Sequence, residues 1–306
     1  MERTGTPVER RRPLCTIVIP TRRRPLLLAE CLESIAASDY PSDRLEVIVV
    51  DDGGGSVEAA AESVAGRLET AVLRCPGIGP AAARNAGAGR ARGEILAFTD
   101  DDCRVSPDWL SSLVAAVDGE PRRAAGGYTV NALPENRWST ASQRVIDIVY
   151  AYYNSDSENA LFLATNNLAV PVKAFHEVGG FDATFRTAED RDFCRRWLAR
   201  GLELVYAPGA KVLHAHSLTI GAFLRQHFAY GRGAFRFHQR AGEDGDGQLH
   251  AIAQFYRSLP RLMRDSVNGD GTPEVARLAA DVALWQAANG AGVVWEAALS
   301  VRRRGR

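Results

Sequence analysis

The sequence has no apolar run long enough to cross a membrane, and its cysteines are few and unpaired in spacing. The best candidate for a span, residues 282–295, is shorter than the roughly 20 residues required and contains Gln, Asn and two glycines. The five cysteines are odd in number and form no CxxC pair, which disfavours a disulfide framework and a zinc knuckle. Lys and Arg total 37, as do Asp and Glu, and this zero net charge argues against a nucleic-acid-binding protein.

The N-terminal segment also lacks the apolar core of a signal peptide. Together with the unpaired cysteines, this favours a cytoplasmic protein with reduced thiols. Apolar residues make up 46% and charged residues 24% of the 306 positions, which excludes a disordered or coiled-coil chain. This length accommodates one large α/β domain, or a domain of about 200 residues with an appendage.

Strand and helix signals alternate through the first half of the chain. Short apolar runs at residues 14–19, 45–50 and 95–99 predict buried strands, and the stretches between them have helical spacing or helix-capping residues. This alternation predicts a parallel, doubly wound sheet. Further along, residues 202–206 and 211–214 predict two short strands.

Acidic residues follow two of these apolar runs directly. Asp51 and Asp52 follow the second run, and Asp100, Asp101 and Asp102 follow the third. Ligands of an open α/β sheet bind beyond the carboxyl ends of its strands, where a divalent cation would offset the repulsion between these carboxylates. Asp100 and Asp102 form a DxD pair whose oxygens suit Mg²⁺ or Mn²⁺. Solvated or ordinary strand-to-helix turns, which also favour Asp, are the structural alternatives.

Two later clusters allow a catalytic and a structural interpretation. Asp190 is suited to act as a general base, but Thr187 and Asp190 also have the spacing of a helix capping box, with the helix extending to Gly201. A helix N-terminus lowers the pKa of a carboxylate, so a useful base there needs burial or carboxylate neighbours. His214 and His216 are two residues apart, so both could face one metal ion or could be structural.

Six segments together resemble the family 2 glycosyltransferases. They occur in the family's order over about residues 14–216 and read CTIVIPTRRRP, LEVIVVDDGG, GPAAARNAG, GEILAFTDDDC followed by SPDWL, GGFDATF and AEDRDFCRRW. The resemblance implies a GT-A fold, which is a Rossmann-like α/β fold with a mixed sheet and helices on both faces. We expect residues 1–13 to be a tail, 14–216 the catalytic domain, and 217–306 a mainly helical C-terminal extension.

The resemblance implies an inverting, metal-dependent transfer of one sugar from a nucleotide-diphospho-sugar to an acceptor hydroxyl. A UDP-sugar is the favoured donor, and GDP and dTDP remain open. By this resemblance, Pro20, Thr21, Asp51 and Asp52 line the pocket for the nucleotide base and ribose, and Asp101 lies beside the donor sugar. The expected setting is the assembly of a cell-surface polysaccharide or glycolipid.

The same resemblance implies the metal ligands and the base. Asp102 would ligate Mn²⁺ or Mg²⁺ directly, and Asp100 would lie in the metal shell or near the ribose. Asp190, in the Glu189–Asp190 pair, matches the catalytic base, and His214 or His216 lies where some GT-A enzymes place a further metal ligand. The ARN segment at residues 83–85 also matches, and we expect its asparagine to be structural.

The C-terminal region lies outside the matching motifs. Its aromatic residues interleave with arginines, a pattern that suits a membrane surface or a lipid-linked acceptor, although a helical cap with a solvated basic tail is the alternative. These residues are Phe223, Phe228, Tyr230, Phe235 and Phe237, with Arg225, Arg232 and Arg236 and the terminal arginines from Arg302 onward. We therefore expect an acceptor saccharide or lipid-linked saccharide, and contact with the inner face of the plasma membrane.

Two other classes of protein remain as alternatives. A sugar nucleotidyltransferase would carry a glycine-rich, basic signature after the first strand, and the segment that begins at Thr21 has no glycine. A non-catalytic sugar-binding or nucleotide-binding module would be expected to lose Asp102 or Asp190, and both are present. The QxxRW motif of processive synthases is also absent, which favours the addition of a single sugar.

Overall fold

The computed structural model describes residues 12–117, 119–243, 248–265 and 272–304. Eight strands in this part of the chain form a single sheet. In chain order they are β1 (Cys15–Thr21), β2 (Leu45–Asp52), β3 (Glu69–Cys75), β4 (Ile95–Phe98), β5 (Cys103–Val105), β6 (Arg123–Asn131), β7 (Leu168–Pro171) and β8 (Glu203–His214). Across the sheet, the strand order is β3-β2-β1-β4-β7-β6-β8-β5.

The first half of the sheet is parallel, as the alternation of strand and helix signals predicted. β1 pairs in parallel with β2 and β4, and β2 pairs in parallel with β3. β2 is buried along its whole length, which explains why Val47 to Val50 are four consecutive apolar residues rather than an alternating pattern. The register pairs Thr21 with Asp51, so the polar ends of β1 and β2 lie side by side at one edge.

The second half of the sheet mixes strand directions. β7 is antiparallel to both β4 and β6, while β8 is parallel to β6 and antiparallel to β5. Residues 203–206 and 211–214 are strand, as predicted, but they are parts of the single strand β8 rather than two separate strands. The register shifts between Gly127 and Tyr128, whose partners are Ala207 and Lys211, so residues 208–210 bulge out without ending the strand.

Ten α-helices in the described residues accompany the sheet. They are α1 (Pro25–Ala36), α2 (Glu58–Ser63), α3 (Pro80–Ala88), α4 (Trp109–Val117), α5 (Arg137–Tyr153), α6 (Val172–Val178), α7 (Glu189–Ala199), α8 (Ile220–Glu243), α9 (Gln248–Asp265) and α10 (Thr272–Arg304). β1 shows that both sheet faces are covered. Ile17 and Ile19 share a buried cluster with Leu28 of α1, whereas Val18 shares another with Ala81 of α3.

The last three helices form the C-terminal helical extension. They build a third apolar cluster together with α5, which includes Val145, Phe223, Phe255 and Trp285. α8 and α10 approach closely, because a Cβ atom on Gly292 would lie 2.0 Å from the carbonyl oxygen of Phe228. The expected mixed α/β fold with helices on both faces and a helical C-terminal extension is therefore confirmed.

The basic residues of α8 are partly paired inside the protein. Arg232 and Arg236 both donate to the buried carboxylate of Glu296 on α10, at 2.7 and 2.8 Å. Two of the three arginines that we expected α8 to present to a membrane surface are therefore paired within the protein. No helix in the described ranges is both long enough and apolar enough to span a membrane. The side chains of the basic tail from Arg303 onward lie outside the described residues.

Candidate active site

The carboxyl ends of β1, β2 and β4 open into one large cavity, as expected for the ligand site of an α/β sheet. Its volume is about 950 Å³, near the upper limit for small-molecule pockets. Of the residues that the sequence singled out, the cavity wall includes Pro20, Thr21, Asp52, Asp100, Asp101, Glu189, Asp190 and His214. Asp51, Asp102 and His216 lie close to this wall without lining the cavity themselves.

The two aspartates at the end of β2 hold different loops. Asp52 accepts hydrogen bonds from the backbone amides of Ile78 and Gly79, at 2.6 and 2.8 Å. These bonds fix the turn that leads into α3, and Gly79 has a φ of 93°, which favours glycine. The carboxylate of Asp51 is buried and accepts from the amide of Gly55 instead. Asp52 therefore faces the cavity, and Asp51 supports the loop behind it.

Asp101, in the turn between β4 and β5, is almost completely buried beside the last residue of β1. Its Oδ2 accepts a hydrogen bond from the Thr21 hydroxyl at 2.7 Å, and its Oδ1 lies 3.2 Å from the Arg24 guanidinium. Burial raises the pKa of Asp101 to about 6, although the Thr21 and Arg24 contacts oppose this rise. The structure thus places Asp101 beside the Thr21 edge of the cavity.

Asp102 joins the acidic cluster to the end of β8. Arg24 donates to it at 2.6 Å, and the Nε2 atom of His214 lies 3.3 Å from its Oδ1. Burial disfavours the ionised form, but His214 and Arg24 outweigh it and hold the pKa of Asp102 well below its usual range. The same contact raises the pKa of His214 despite its burial.

One group of potential metal ligands occurs among the described residues. Donor atoms of Asp102, Cys103 and His214 all lie within 4.8 Å of one another. A thiol is a soft ligand, whereas Mg²⁺ and Mn²⁺ prefer hard oxygen ligands, so Cys103 is the least suited of the three to such a cation. Asp102 and His214 are therefore the pair that fits a cation. His216 is not in the group; its ring lies 5.1 Å from that of His214.

A buried arginine connects the DxD segment to the helix that carries the candidate base. Arg84 on α3 donates to Asp100 at 2.6 Å and to Glu189 at 3.0 Å. The sequence pointed to Arg84 only as part of the matching ARN segment and gave it no role; its further signal is a charged residue on the core-facing side of an alanine-rich helix. The neighbouring Asn85 exchanges two hydrogen bonds with the backbone of Phe181, consistent with a structural role.

Asp190 lies in the first turn of α7, facing the cavity. Burial raises its pKa to about 7 and Glu189 adds to the effect, while Arg191 and Arg84 oppose it. This burial overcomes the stabilisation that a helix N-terminus gives to an anion. A carboxylate that titrates near neutral pH is well matched to general-base catalysis.

The capping-box alternative at the start of α7 was wrong. The residue before the first helical turn is Ala188, in a left-handed conformation with φ 71°, and no side chain caps this end. Thr187 instead donates its hydroxyl to the carbonyl oxygen of Ala229 on α8, at 3.0 Å. This bond ties the segment that precedes Asp190 to the C-terminal helices.

His227 and Tyr230 are among the residues of α8 that line the cavity, and the sequence did not identify either as a polar site residue. His227 is 1% exposed, and neither of its ring nitrogens has a hydrogen-bond partner among the described residues. Burial lowers its pKa to about 4, so the ring is neutral at physiological pH. Tyr230 is 42% exposed, but its hydroxyl accepts a hydrogen bond from Gln226 at 3.2 Å, and desolvation of this hydroxyl, with Asp190 and Glu189 adding to the effect, raises its pKa.

Solved structures with a similar fold show that the architecture is the GT-A fold. The chain aligns over 94% of its length with 87% of the mannosyltransferase PcManGT from Pyrobaculum calidifontis, solved with GDP-Man and Mn²⁺, at TM-score 0.70 and 20% identity. It aligns over 73% of its length with 51% of GalNAc-T7, solved with UDP, GalNAc and Mn²⁺, at TM-score 0.54 and 15% identity. The GT-A fold that the resemblance implied is confirmed.

The sequence itself gives the family. The model of glycosyl transferase family 2 matches residues 16–192, more than half of the chain, so the protein belongs to this family and is a glycosyltransferase. Glycosyltransferase AglE of Haloferax volcanii is 26% identical over 72% of this chain and 73% of that protein. Pre-mycofactocin glycosyltransferase of Mycobacterium tuberculosis is 28% identical over 72% of this chain, which spans 46% of that relative's length.

Proposed function

We propose that the protein transfers one sugar from a nucleotide-diphospho-sugar to an acceptor hydroxyl with inversion at the anomeric carbon. The observation that carries this proposal is the position of Asp190, a partly buried carboxylate that lines the same cavity as Asp100 and Asp101 and whose pKa is raised. It combines a base poised near neutral pH with an acidic edge suited to a metal-bound diphosphate. The GDP-Man and UDP in the solved relatives support a nucleotide-sugar donor.

The donor lies at the carboxyl ends of β1 and β2 in this proposal. Pro20, Thr21 and Asp52 line that part of the cavity, and Asp52 retains free lone pairs for a ribose hydroxyl or a base N–H. Gly77 and Gly79 line the same wall and allow the ligand to approach the backbone closely. A UDP-sugar is favoured, and GDP is the direct competitor.

Asp102 and His214 would hold a divalent cation, Mn²⁺ or Mg²⁺, because their donor atoms converge and the third donor, the Cys103 thiol, is a soft ligand that suits neither cation. Such a cation supplies neutralising charge to the departing nucleoside diphosphate. Arg24, which now pairs with Asp101 and Asp102, is a further positive group beside the same edge.

Asp190 removes the proton from the acceptor hydroxyl in this mechanism. The acceptor oxygen then forms a bond to the anomeric carbon as the bond from that carbon to the diphosphate oxygen breaks. A single displacement of this kind inverts the anomeric configuration and needs no second carboxylate nucleophile. Arg84 lies between Asp100 and Glu189, where it limits the repulsion among the carboxylates around the base.

Thermal unfolding tests the donor and cation assignments together. UDP, GDP, dTDP and CDP are each added to the protein with Mn²⁺ or with EDTA, and to the Asp102→Asn variant. A nucleotide that binds the folded state raises the melting temperature by linkage. We expect one nucleotide to give a Mn²⁺-dependent shift that Asp102→Asn removes. A shift of equal size in EDTA, or in the variant, would contradict the metal site.

A further inference from the structure

The catalytic cavity continues past Asp190 into a channel between α5, α8, α9 and α10. The walls of this aromatic channel include the apolar and aromatic side chains of Val149, Tyr153, Phe162, Phe237, Phe255 and Trp285, while His238 and Asn289 are polar residues of the same cavity. Phe255 makes ring contacts with Tyr153 and Trp285, at centroid distances of 6.3 and 6.4 Å. The channel is therefore an ordered aromatic surface, continuous with the space that holds the candidate base.

The outer end of the aromatic channel reaches solvent. Leu161 and Tyr256 line the same cavity, and they are 54% and 48% exposed. Exposed large apolar side chains at the mouth of a cavity are typical of a binding site rather than of a sealed packing defect. The channel thus offers a path from the surface to Asp190 that is separate from the acidic edge.

The inner end of the channel carries an unsatisfied polar group. His227 is 1% exposed and lines the cavity, yet both ring nitrogens lack a hydrogen-bond partner among the described residues. A buried polar group without a partner costs stability, so an imidazole in this position points to a ligand that pairs with it. A neutral imidazole offers one donor and one acceptor, which matches a hydroxyl group.

We propose that the aromatic channel binds an apolar aglycone, an aliphatic or aromatic group attached to the acceptor, whose polar end lies beside His227 and Asp190. This inference rests on the proposed glycosyl transfer, and it names the class of acceptor. A free saccharide would place many hydroxyls against these apolar walls, and each buried hydroxyl without a partner would weaken binding. An apolar group gains affinity from the same walls, since each buried methylene contributes about a fourfold increase.

Calorimetric titration with two glycosides that differ only in their aglycone tests this inference. Octyl β-D-glucopyranoside, below its micelle-forming concentration, and methyl β-D-glucopyranoside are titrated into the full chain without nucleotide. We expect the octyl compound to bind at least about tenfold more tightly than the methyl compound. Phenyl β-D-glucopyranoside distinguishes an aromatic from an aliphatic preference. Equal affinity of all three compounds would overturn the inference.

Two pairs of variants locate the binding. Leu161→Asp places a charge at the channel mouth, whereas Leu26→Asp changes an equally apolar residue that is 80% exposed and lines no part of the cavity. Trp285→Ala removes a channel wall, and Trp295→Ala, on the same helix but 55% exposed, is its control. We expect only Leu161→Asp and Trp285→Ala to abolish the octyl preference. If Leu161→Asp retained the preference for the octyl compound, the octyl group would bind outside the aromatic channel, and the inference would be overturned.

The titration also separates this inference from the proposed function. Nucleotide binding is measured by thermal unfolding, and glycoside binding is measured without nucleotide, so neither result depends on the other. An octyl preference without nucleotide binding would contradict the glycosyl-transfer mechanism alone. Nucleotide binding with no aglycone preference would contradict the aromatic channel alone.

Discussion

Arg84 donates a 2.6 Å hydrogen bond to Asp100 from a helix face that is otherwise alanine and glycine. The same guanidinium reaches Glu189, which is 105 residues further along the chain. A buried arginine between two carboxylates reduces their repulsion and fixes the spacing of α3, the DxD segment and α7. The geometry of the candidate base is therefore tied to the geometry of the acidic edge through one side chain.

The first prediction concerns Arg84 as a positioning residue. Its charge lowers the pKa of Asp190, so Arg84→Gln is expected to move the acid limb of the kcat/KM profile to higher pH. Breaking this buried pairing should also reduce the free energy of unfolding by about 3 kcal/mol. Arg84→Lys keeps the positive charge and serves as the control, and it should shift the acid limb of the kcat/KM profile less. If the acid limb were unchanged in Arg84→Gln, the role of Arg84 would be purely structural.

The second prediction concerns the pH dependence of transfer. A general base works only when deprotonated, and burial raises the pKa of Asp190 to about 7. The rate should therefore fall about tenfold per pH unit below pH 7 and level off above it. Asp190→Asn should lower kcat by at least about 100-fold while nucleotide binding is retained. A flat profile between pH 5 and 7 would assign the base to another group.

The third prediction uses the same residue as a probe of stability. The folded protein keeps the Asp190 proton up to about pH 7, whereas the unfolded chain loses it near the ordinary value of 3.8. The folded state thus binds more protons in this window, and its stability falls as pH rises through it. Asp190→Asn removes this pH-dependent loss of stability. The melting temperature of the variant minus that of the unmodified protein should therefore increase from pH 4 to pH 7 and then level off. Asp156→Asn, at an exposed site, should show no such growth.

Sequence motifs predicted the acidic edge well because its residues directly follow strands. Asp52, Asp100 and Asp101 come after apolar runs whose parallel pairing is itself readable from the alternation of elements, so their convergence at one edge follows. The short distance between Asp102 and His214 needs the antiparallel pairing of β5 with β8. The two histidines were noticed in the sequence, but the residue that faces the aspartate was not distinguishable there.

Residues that act through long-range packing could not be predicted. His227 belongs to a long amphipathic helix, and no local pattern indicates that its nitrogens lack partners in the fold. The start of α7 was misread because Thr187 and Asp190 have capping-box spacing, yet the Thr187 hydroxyl is bound by Ala229. In both cases the deciding contact comes from α8, whose placement depends on tertiary packing rather than on local propensity.

The fourth prediction distinguishes the two histidines at the end of β8. His214 lies 3.3 Å from Asp102, whereas His216 is absent from the group of converging donor atoms. His214→Phe should weaken nucleotide binding in the presence of Mn²⁺ by at least about tenfold, because loss of a metal ligand or of its immediate partner lowers metal affinity by that much. His216→Phe, a matched change two residues away, should have little effect. A larger effect of His216→Phe than of His214→Phe would contradict the assignment and indicate that His216 binds the cation.

The fifth prediction tests the packing that places α8 and α10 against the cavity. A Cβ atom on Gly292 would lie 2.0 Å from the carbonyl oxygen of Phe228, so Gly292→Ala must push the two helices apart. We expect it to lower the free energy of unfolding by about 1–3 kcal/mol in urea denaturation.

Gly290 is the matched control on the same helix, because nothing lies within 4 Å of the position its Cβ would take. Gly290→Ala should leave stability unchanged or raise it by about 0.5–1 kcal/mol, since alanine favours the helix over glycine. Equal effects of the two changes would mean that α8 and α10 do not pack this closely. The aromatic channel between them would then lose the wall that Trp285 provides, so the pair of glycine variants also tests the geometry on which the acceptor inference depends.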